Sequence, residues 1–224
     1  MKSRPLPIVS ASFLLVFVIL ALLVELSPAF RTSDAQLAAW VNHLDLGTWV
    51  GSALVASSVY GREYFWVGVV AVLLLTGDRR TKKLAIGLCV LFVVGIATGE
   101  IAKLAIPRER PWLFVANLFV RVPYSFDSSF PSGHALIASI GAVYALATFR
   151  RAWLSGLLTV EAAIVCLSRV YVGAHYPSDV LAGVALGGAI ALGGLYLGRA
   201  YLSQQFDRAA GLLTKALGEG PLSV

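Results

Sequence analysis

The feature that most constrains this chain is the run from Ile8 to Ala29, in which Glu25 is the only charged residue. A bilayer's hydrocarbon core, about 30 Å thick, is crossed by roughly 20 apolar residues in a helix. The run follows Lys2 and Arg4, like the opening of a signal peptide. Its length and the lack of an A-x-A-like cleavage site favour a retained span. Further apolar runs cover Tyr64 to Thr76 (beginning a little earlier, near Val59), Leu84 to Ile106, Ser132 to Phe149, Ala152 to Val172 and Val180 to Leu197. The expected architecture is all-α: an integral membrane bundle of six transmembrane helices, forming a single membrane-embedded domain over residues 1–224. Between the first two spans, Ser33 to Ser58 places Leu37, Trp40, Val41 and Leu44 at roughly helical spacing, which predicts one or two interfacial helices.

Composition agrees. Only 13% of the residues are charged, against about 25% in a typical soluble domain, and mean hydropathy is +0.80. Too little polar side chain is present to cover a water-facing surface. Cys89 and Cys166 each sit within an apolar run and read as small core residues rather than a bridge or a metal pair. The net charge of +6 would fit nucleic acid in a soluble protein. In a chain this apolar, topology and an anionic ligand account for it better, so no nucleic-acid partner is expected.

Positive charge orients the bundle. Lys2, Arg4, Arg79, Arg80, Lys82, Lys83, Arg150, Arg151, Arg199, Arg208 and Lys215 fall on one side, which the positive-inside rule makes cytoplasmic, with both termini. The opposite face carries Arg31, Arg62, Lys103, Arg108, Arg110, Arg121 and Arg169. Those cations concentrate after the third and fifth runs, and idle charge there would be unfavourable. Glycines four apart, Gly183 with Gly187, Gly194 with Gly198 and Gly95 with Gly99, suit close packing of helices within one chain.

Ionisable residues at membrane depth mark function. Three clusters share the outer face: Lys103 to Pro111, with Lys103 and Arg110 separated by six residues; Pro131-Ser132-Gly133-His134, opening the fourth run; and Ser168-Arg169 with His175 and Asp179. Singly, each has an ordinary explanation. Lys103 and Arg110 could snorkel to headgroups, Pro-Ser could cap a helix, and a His-x-x-x-Asp pair could be a structural hydrogen bond. Together they place three cations, two histidines, a carboxylate and a helix N-terminus on one face. Fixed cations and free amide groups at Ser132, Gly133 and His134 suit the several oxygens of a phosphate. Two histidines can then divide the work of nucleophile and leaving-group acid. Asp179, four residues after His175, can hold one imidazole nitrogen and leave the other to attack. His134, with no carboxylate near in sequence, is left to act as acid. The carboxylates Asp34, Asp45, Glu63, Glu109, Asp127 and Asp179 are scattered along the chain, which disfavours a two-metal site. No metal or cofactor is expected.

These clusters match the signature of the type 2 phosphatidic acid phosphatase superfamily of lipid phosphatases, K-x6-RP, PSGH and SR-x5-H-x3-D, at every specified position. The motif core spans residues 103–179, and the helical arrangement extends the resemblance over nearly the whole chain. The resemblance implies that His175 is the nucleophile forming a phosphohistidine, with Asp179 orienting it, and that His134 protonates the leaving group. It implies that Lys103, Arg110, Ser132, Gly133 and Arg169 bind the phosphate, without metal, at the outer surface of the cell membrane. The implied activity is hydrolysis of a polyprenyl diphosphate carrier lipid resembling undecaprenyl diphosphate, with the bilayer and a lipid phosphate as partners. Alternatives are phosphatidate or phosphatidylglycerophosphate as substrate, transfer of the phosphate to another lipid, and a lipid or anion transporter. A transporter predicts polar residues along both halves of the bundle; here they crowd one face. Outside the motifs, Arg108 and Arg121 read as solvated loop charges or weak attractors of phosphate. Tyr124, Phe126 and Phe130 read as interfacial anchors or the border of a lipid-tail groove, Glu100 as a hold on Lys103, and Glu161 as an inward-facing carboxyl.

Overall fold

In the computed structural model residues 5–216 are described, and they are all-helical, with no strand among them. The first helix, α1 (Pro5–Leu26), ends where Ser27 accepts a hydrogen bond from Phe30 N and Pro28 opens α2 (Pro28–Asn42). The first run therefore stops three residues short of Ala29, because a capping serine and a proline restart the helix. Next come α3 (Gly47–Tyr60) and α4 (Glu63–Thr76), bent 65° from one another across a short break. Asp78 caps α5 (Arg79–Ala105) by accepting from Thr81 N at 2.8 Å, so this helix begins five residues before the expected Leu84. A single turn, α6 (Pro111–Phe114), is followed by α7 (Gly133–Thr148), α8 (Ala152–Tyr171) and α9 (Pro177–Ala216). The predicted last span ended at Leu197, whereas α9 continues to Ala216.

Four helices, α1, α5, α8 and α9, are long and apolar enough to cross a membrane, and α3 with α4 makes a fifth crossing if the bent pair is one span. At 16 residues, roughly 24 Å by helical rise, α7 is shorter. Of the segment expected to lie on the membrane, α2 bridges toward α8 and α9, while α3 packs along α8 and runs into α4.

The centre of the molecule is α7, which packs against α9, α8 and α5. Nearly every residue from Ala135 to Ala145 is buried. Close approach explains the small residues. A β-carbon at Gly183 would lie 2.5 Å from the Ser132 carbonyl oxygen, and one at Gly187 would lie 2.5 Å from that of Leu136. Ser139 crosses the same seam to donate to Val184 O at 3.0 Å. Trp66, Leu88, Leu136, Ile140 and Tyr144 belong to the core that packs around α7. The result fixes the N-termini of α7 and α9 side by side, with Ser132 N donating to Asp179 O at 2.9 Å.

Candidate active site

His175 lies on the turn between α8 and α9. Gly173 makes that turn at φ +77°, a conformation that L side chains resist. The Arg169 carbonyl accepts from Ala174 N and His175 N, both at 3.1 Å. The imidazole is then fixed on both sides. Its Nδ1 is 2.8 Å from the Ser129 carbonyl oxygen, which can only accept, so Nδ1 carries the proton. Nε2 therefore keeps its lone pair, and Arg110 Nη1 donates to it at 3.2 Å. Burial, then the Arg110 and Arg169 charges, push the His175 pKa well below the ordinary histidine value, with the Ser129 bond opposing. With Nδ1 donating and Nε2 accepting, both contacts are those of a neutral ring.

Asp179 does not hold the imidazole directly as expected: its Oδ2 is 3.6 Å from Nδ1, too long for a hydrogen bond. The Ser129 carbonyl has taken that place. Asp179 is fully buried in the first turn of α9, where Tyr176 N donates to Oδ2 at 2.9 Å and Arg108 Nη1 to Oδ1 at 2.6 Å.

Lys103 and Arg110 meet through Asp127. Lys103 Nζ is 2.6 Å from Asp127 Oδ2 and 3.0 Å from Glu100 Oε1, as one helical turn of separation from Glu100 allows. Arg110 Nη2 is 2.7 Å from Asp127 Oδ1, Arg110 Nε donates to the Asp127 carbonyl, and Ser125 Oγ donates to Oδ1. Partial burial works to raise the Asp127 pKa, but the bonds from Lys103, Ser125 and Arg110 outweigh it and hold the carboxyl well below the usual range. Asp127 was absent from the sequence-predicted site, as nothing in its local sequence ties it to cations many residues away.

At the start of α7, the Ser132 amide is committed to Asp179 O, so the helix end presents the amides of Gly133 and His134 but not, as expected, that of Ser132. The Ser132 hydroxyl is buried and has no hydrogen-bond partner among the described residues. His134 is half-buried, with Arg169, Arg62, His175 and Arg110 within electrostatic range. Arg62, at the break between α3 and α4, reaches over this helix end: its Nη1 would lie 3.4 Å from a β-carbon at Gly133. Arg169 is buried and donates from Nη1 to the Ser58 carbonyl and hydroxyl of α3. Thus the fold gathers every motif residue at one end of α7, α8 and α9 and adds Arg62, whose sequence context carries no signal.

Arg108 is neither solvated nor a free attractor of phosphate. It is buried between two carboxylates, with Nη1 on Asp179 and Nη2 2.8 Å from Asp34 Oδ2 on α2. Burial works to lower its pKa, and the charges and bonds of Asp179 and Asp34 raise it above the free arginine value. Tyr176 stacks on it, the guanidinium carbon lying 3.9 Å from the ring centroid. Arg121 is likewise structural, donating to Tyr171 O at 2.9 Å over the Tyr171 ring. Among the aromatics, Phe130 is wholly buried against Phe17 and Val24 rather than at an interface, while Phe126 is exposed and lines a groove. That groove, of about 1180 Å³, opens between α2, the end of α5 and α6. Leu104, Pro107, Leu113 and Phe114 give it an apolar wall, and Lys103 and Arg110 stand at its polar end. Among the described residues no group of three or more His, Cys, Asp or Glu side chains could hold a metal ion.

Fold and site define a helical membrane protein with a cluster of cations and two histidines beside an apolar groove. Residues 82–202 match the PAP2 superfamily, and the chain belongs to that superfamily. It is 40% identical over 176 residues to an undecaprenyl-diphosphatase of Sulfolobus acidocaldarius, covering 78% of this chain and 84% of that protein. It is 30% identical over 152 residues to the undecaprenyl-diphosphatase BcrC of Bacillus subtilis, covering 65% of this chain and 74% of that one. The crystal structure of a transmembrane PAP2-type phosphatidylglycerolphosphate phosphatase from Bacillus subtilis superposes with a TM-score of 0.67 at 22% identity, covering 89% of this chain and 96% of the other, which shows a common fold.

Proposed function

We propose that this protein is a lipid phosphatase that hydrolyses a polyprenyl diphosphate carrier lipid at the outer face of the cell membrane, through a phosphohistidine on His175. The observation that carries the mechanism is the commitment of His175 Nδ1 to the Ser129 carbonyl, which leaves Nε2 as the nucleophilic atom beside Arg110. Attack by the Nε2 lone pair forms the N–P bond as the P–O bond to the leaving group breaks. His134 gives its proton to the departing oxygen, and the negative charge of the bound phosphate offsets the surrounding cations to favour the protonated ring. Water then attacks the phosphohistidine with His134 as base, and inorganic phosphate leaves. Lys103, Arg110, Arg169, the Ser132 hydroxyl and the Gly133 amide take the phosphate oxygens, and their fixed positions stabilise the charge of the transition state. The relative from Sulfolobus acidocaldarius supports the diphosphate substrate, and the groove beside Arg110 gives an isoprenoid tail an apolar wall. In this reading six helical segments cross the membrane, α3 with α4 and the short α7 included, and the termini are cytoplasmic.

Phosphate release by purified protein from polyprenyl diphosphate, phosphatidate and phosphatidylglycerophosphate tests the assignment. The diphosphate should give the highest kcat/KM, activity should persist in EDTA, and vanadate should inhibit. Loss of activity in EDTA with rescue by a divalent ion would overturn the histidine mechanism, and a preference for either glycerolipid would overturn the substrate.

A further inference from the structure

The Arg108 cluster is built like part of the site, yet no step above uses it. It is buried throughout: Asp34, Arg108 and Asp179 are each at most 9% exposed. Its bonds join three elements. Arg108, on the loop after α5, bonds Asp179 on α9 and Asp34 on α2. Asp34 also accepts from Ser178 N at 3.0 Å and from the Ser178 hydroxyl, which itself accepts from Arg108 Nη1 at 2.8 Å. Every polar atom of the carboxylates is engaged, as a buried charge requires.

We propose that Arg108 is a positioning residue for the His175–Asp179 pair, and that Asp34 of α2 holds it in that role by dividing its charge between two carboxylates. The inference rests on the mechanism proposed above. With both carboxylates ionised, one guanidinium facing them leaves the cluster with a net negative charge, and Asp179 presents that charge 3.6 Å from His175 Nδ1. When Nε2 bonds to phosphorus the ring retains its Nδ1 proton and becomes cationic, so a residual negative charge behind it favours the phosphohistidine. Were Asp34 absent, Arg108 would belong to Asp179 alone and the cluster would be neutral. Were Arg108 absent, Asp179 would be freed to turn toward Arg110 or to take a proton, and the ring would lose its fixed background. The other charges facing His175 are Lys103 from the last turn of α5, Arg110 from the α5–α7 connection, Arg169 from α8 and His134 from α7.

The test compares Arg108→Gln, Arg108→Lys and the near-isosteric Asp34→Asn with wild type on a polyprenyl diphosphate, measuring kcat and KM against pH, each normalised to the folded fraction. Arg108→Gln should lower kcat about 10²-fold, the scale of a misplaced reacting group, with little change in KM. Arg108→Lys should recover only part of this, since an ammonium cannot span both carboxylates. Asp34→Asn should lower kcat roughly tenfold, equivalent to one pH unit of charge preference. The acidic limb of kcat/KM, which reports protonation of the free enzyme, should move in opposite directions: up for Arg108→Gln, which removes a cation near His175, and down for Asp34→Asn, which removes an anion. A merely structural cluster would lower stability and leave the normalised kcat and both limbs unmoved; that result would overturn the inference. Wild type that releases no phosphate from any lipid phosphate would instead overturn the functional reading on which it rests.

Discussion

His175 and His134 stand in contrasting surroundings. One ring is held by a carbonyl and a guanidinium; the other makes no hydrogen bond among the described residues and faces cations. On the proposed mechanism the two fail differently. His175→Ala should abolish both turnover and covalent phosphoenzyme with every substrate. His134→Ala should lose about 10²–10⁴-fold on a lipid monophosphate, the usual worth of acid catalysis, and recover substantially on p-nitrophenyl phosphate, whose leaving group departs without a proton. Equal losses across both substrates would show that the roles are not divided in this way. The motif residues were legible because their order and spacing carry the chemistry. Arg108 and Asp34 were not, since a loop arginine beside a proline and a lone aspartate in an amphipathic segment look solvated until a third element buries them. The carbonyl of Ser129 leaves no trace in sequence at all, because any residue supplies one.

Small-residue spacing marked Gly183 and Gly187 for close packing without naming their partner, and wrongly included Gly198; the α7–α9 seam they form is where a single methyl group should matter. Gly183→Ala would drive a β-carbon against the Ser132 carbonyl, at the point where Ser132 N also bonds Asp179 O. It should cost about 1–3 kcal/mol, the range for overpacking a tight contact, read as a lower thermal midpoint with reduced activity. Gly198→Ala, where nothing lies within 4 Å, should be neutral or slightly stabilising, since alanine is the better helix former. Matching losses in both variants would refute the seam as the cause. Helix α2 shows a face that apolar spacing alone does not reveal. Its apolar residues Leu37 and Trp40 are exposed, while Asp34, Ala38 and Asn42 turn inward. The spacing of Leu37, Trp40, Val41 and Leu44 marks the helix, whereas the burial of Asp34 and Asn42 depends on partners from distant elements. In α8, Glu161 does face inward as expected, with neither oxygen hydrogen-bonded among the described residues.

For the molecule as a whole, the basic residues set the proposed orientation. Tyr124, on the outer loop, and Arg151, before α8, are both exposed and report opposite sides. In a background lacking Cys89 and Cys166, a membrane-impermeant maleimide should label Tyr124→Cys in intact cells and Arg151→Cys only after permeabilisation. The reverse pattern would invert the topology. The number of apolar runs made the membrane class plain, but the 65° bend between α3 and α4 was not legible, because extending the run from Tyr64 back to Val59 carried it straight through Gly61 and Arg62, where the helix breaks. That break matters to the site, as it is what carries Arg62 over the α7 N-terminus.

Asp127 gives the pocket an anion of its own. Its two oxygens sit 2.6 Å and 2.7 Å from Lys103 and Arg110, the same cations that the proposed mechanism assigns to phosphate. A carboxylate anchored on the same chain acts as a tethered competitor, present at an effective concentration that short tethers place in the millimolar range. Free phosphate at lower concentration would compete poorly with it, whereas a lipid headgroup is concentrated at the membrane by its own tail. On the proposed mechanism such a pocket would discriminate by anchorage, discharging the small product readily while still admitting the bilayer-borne substrate from which that product was cut.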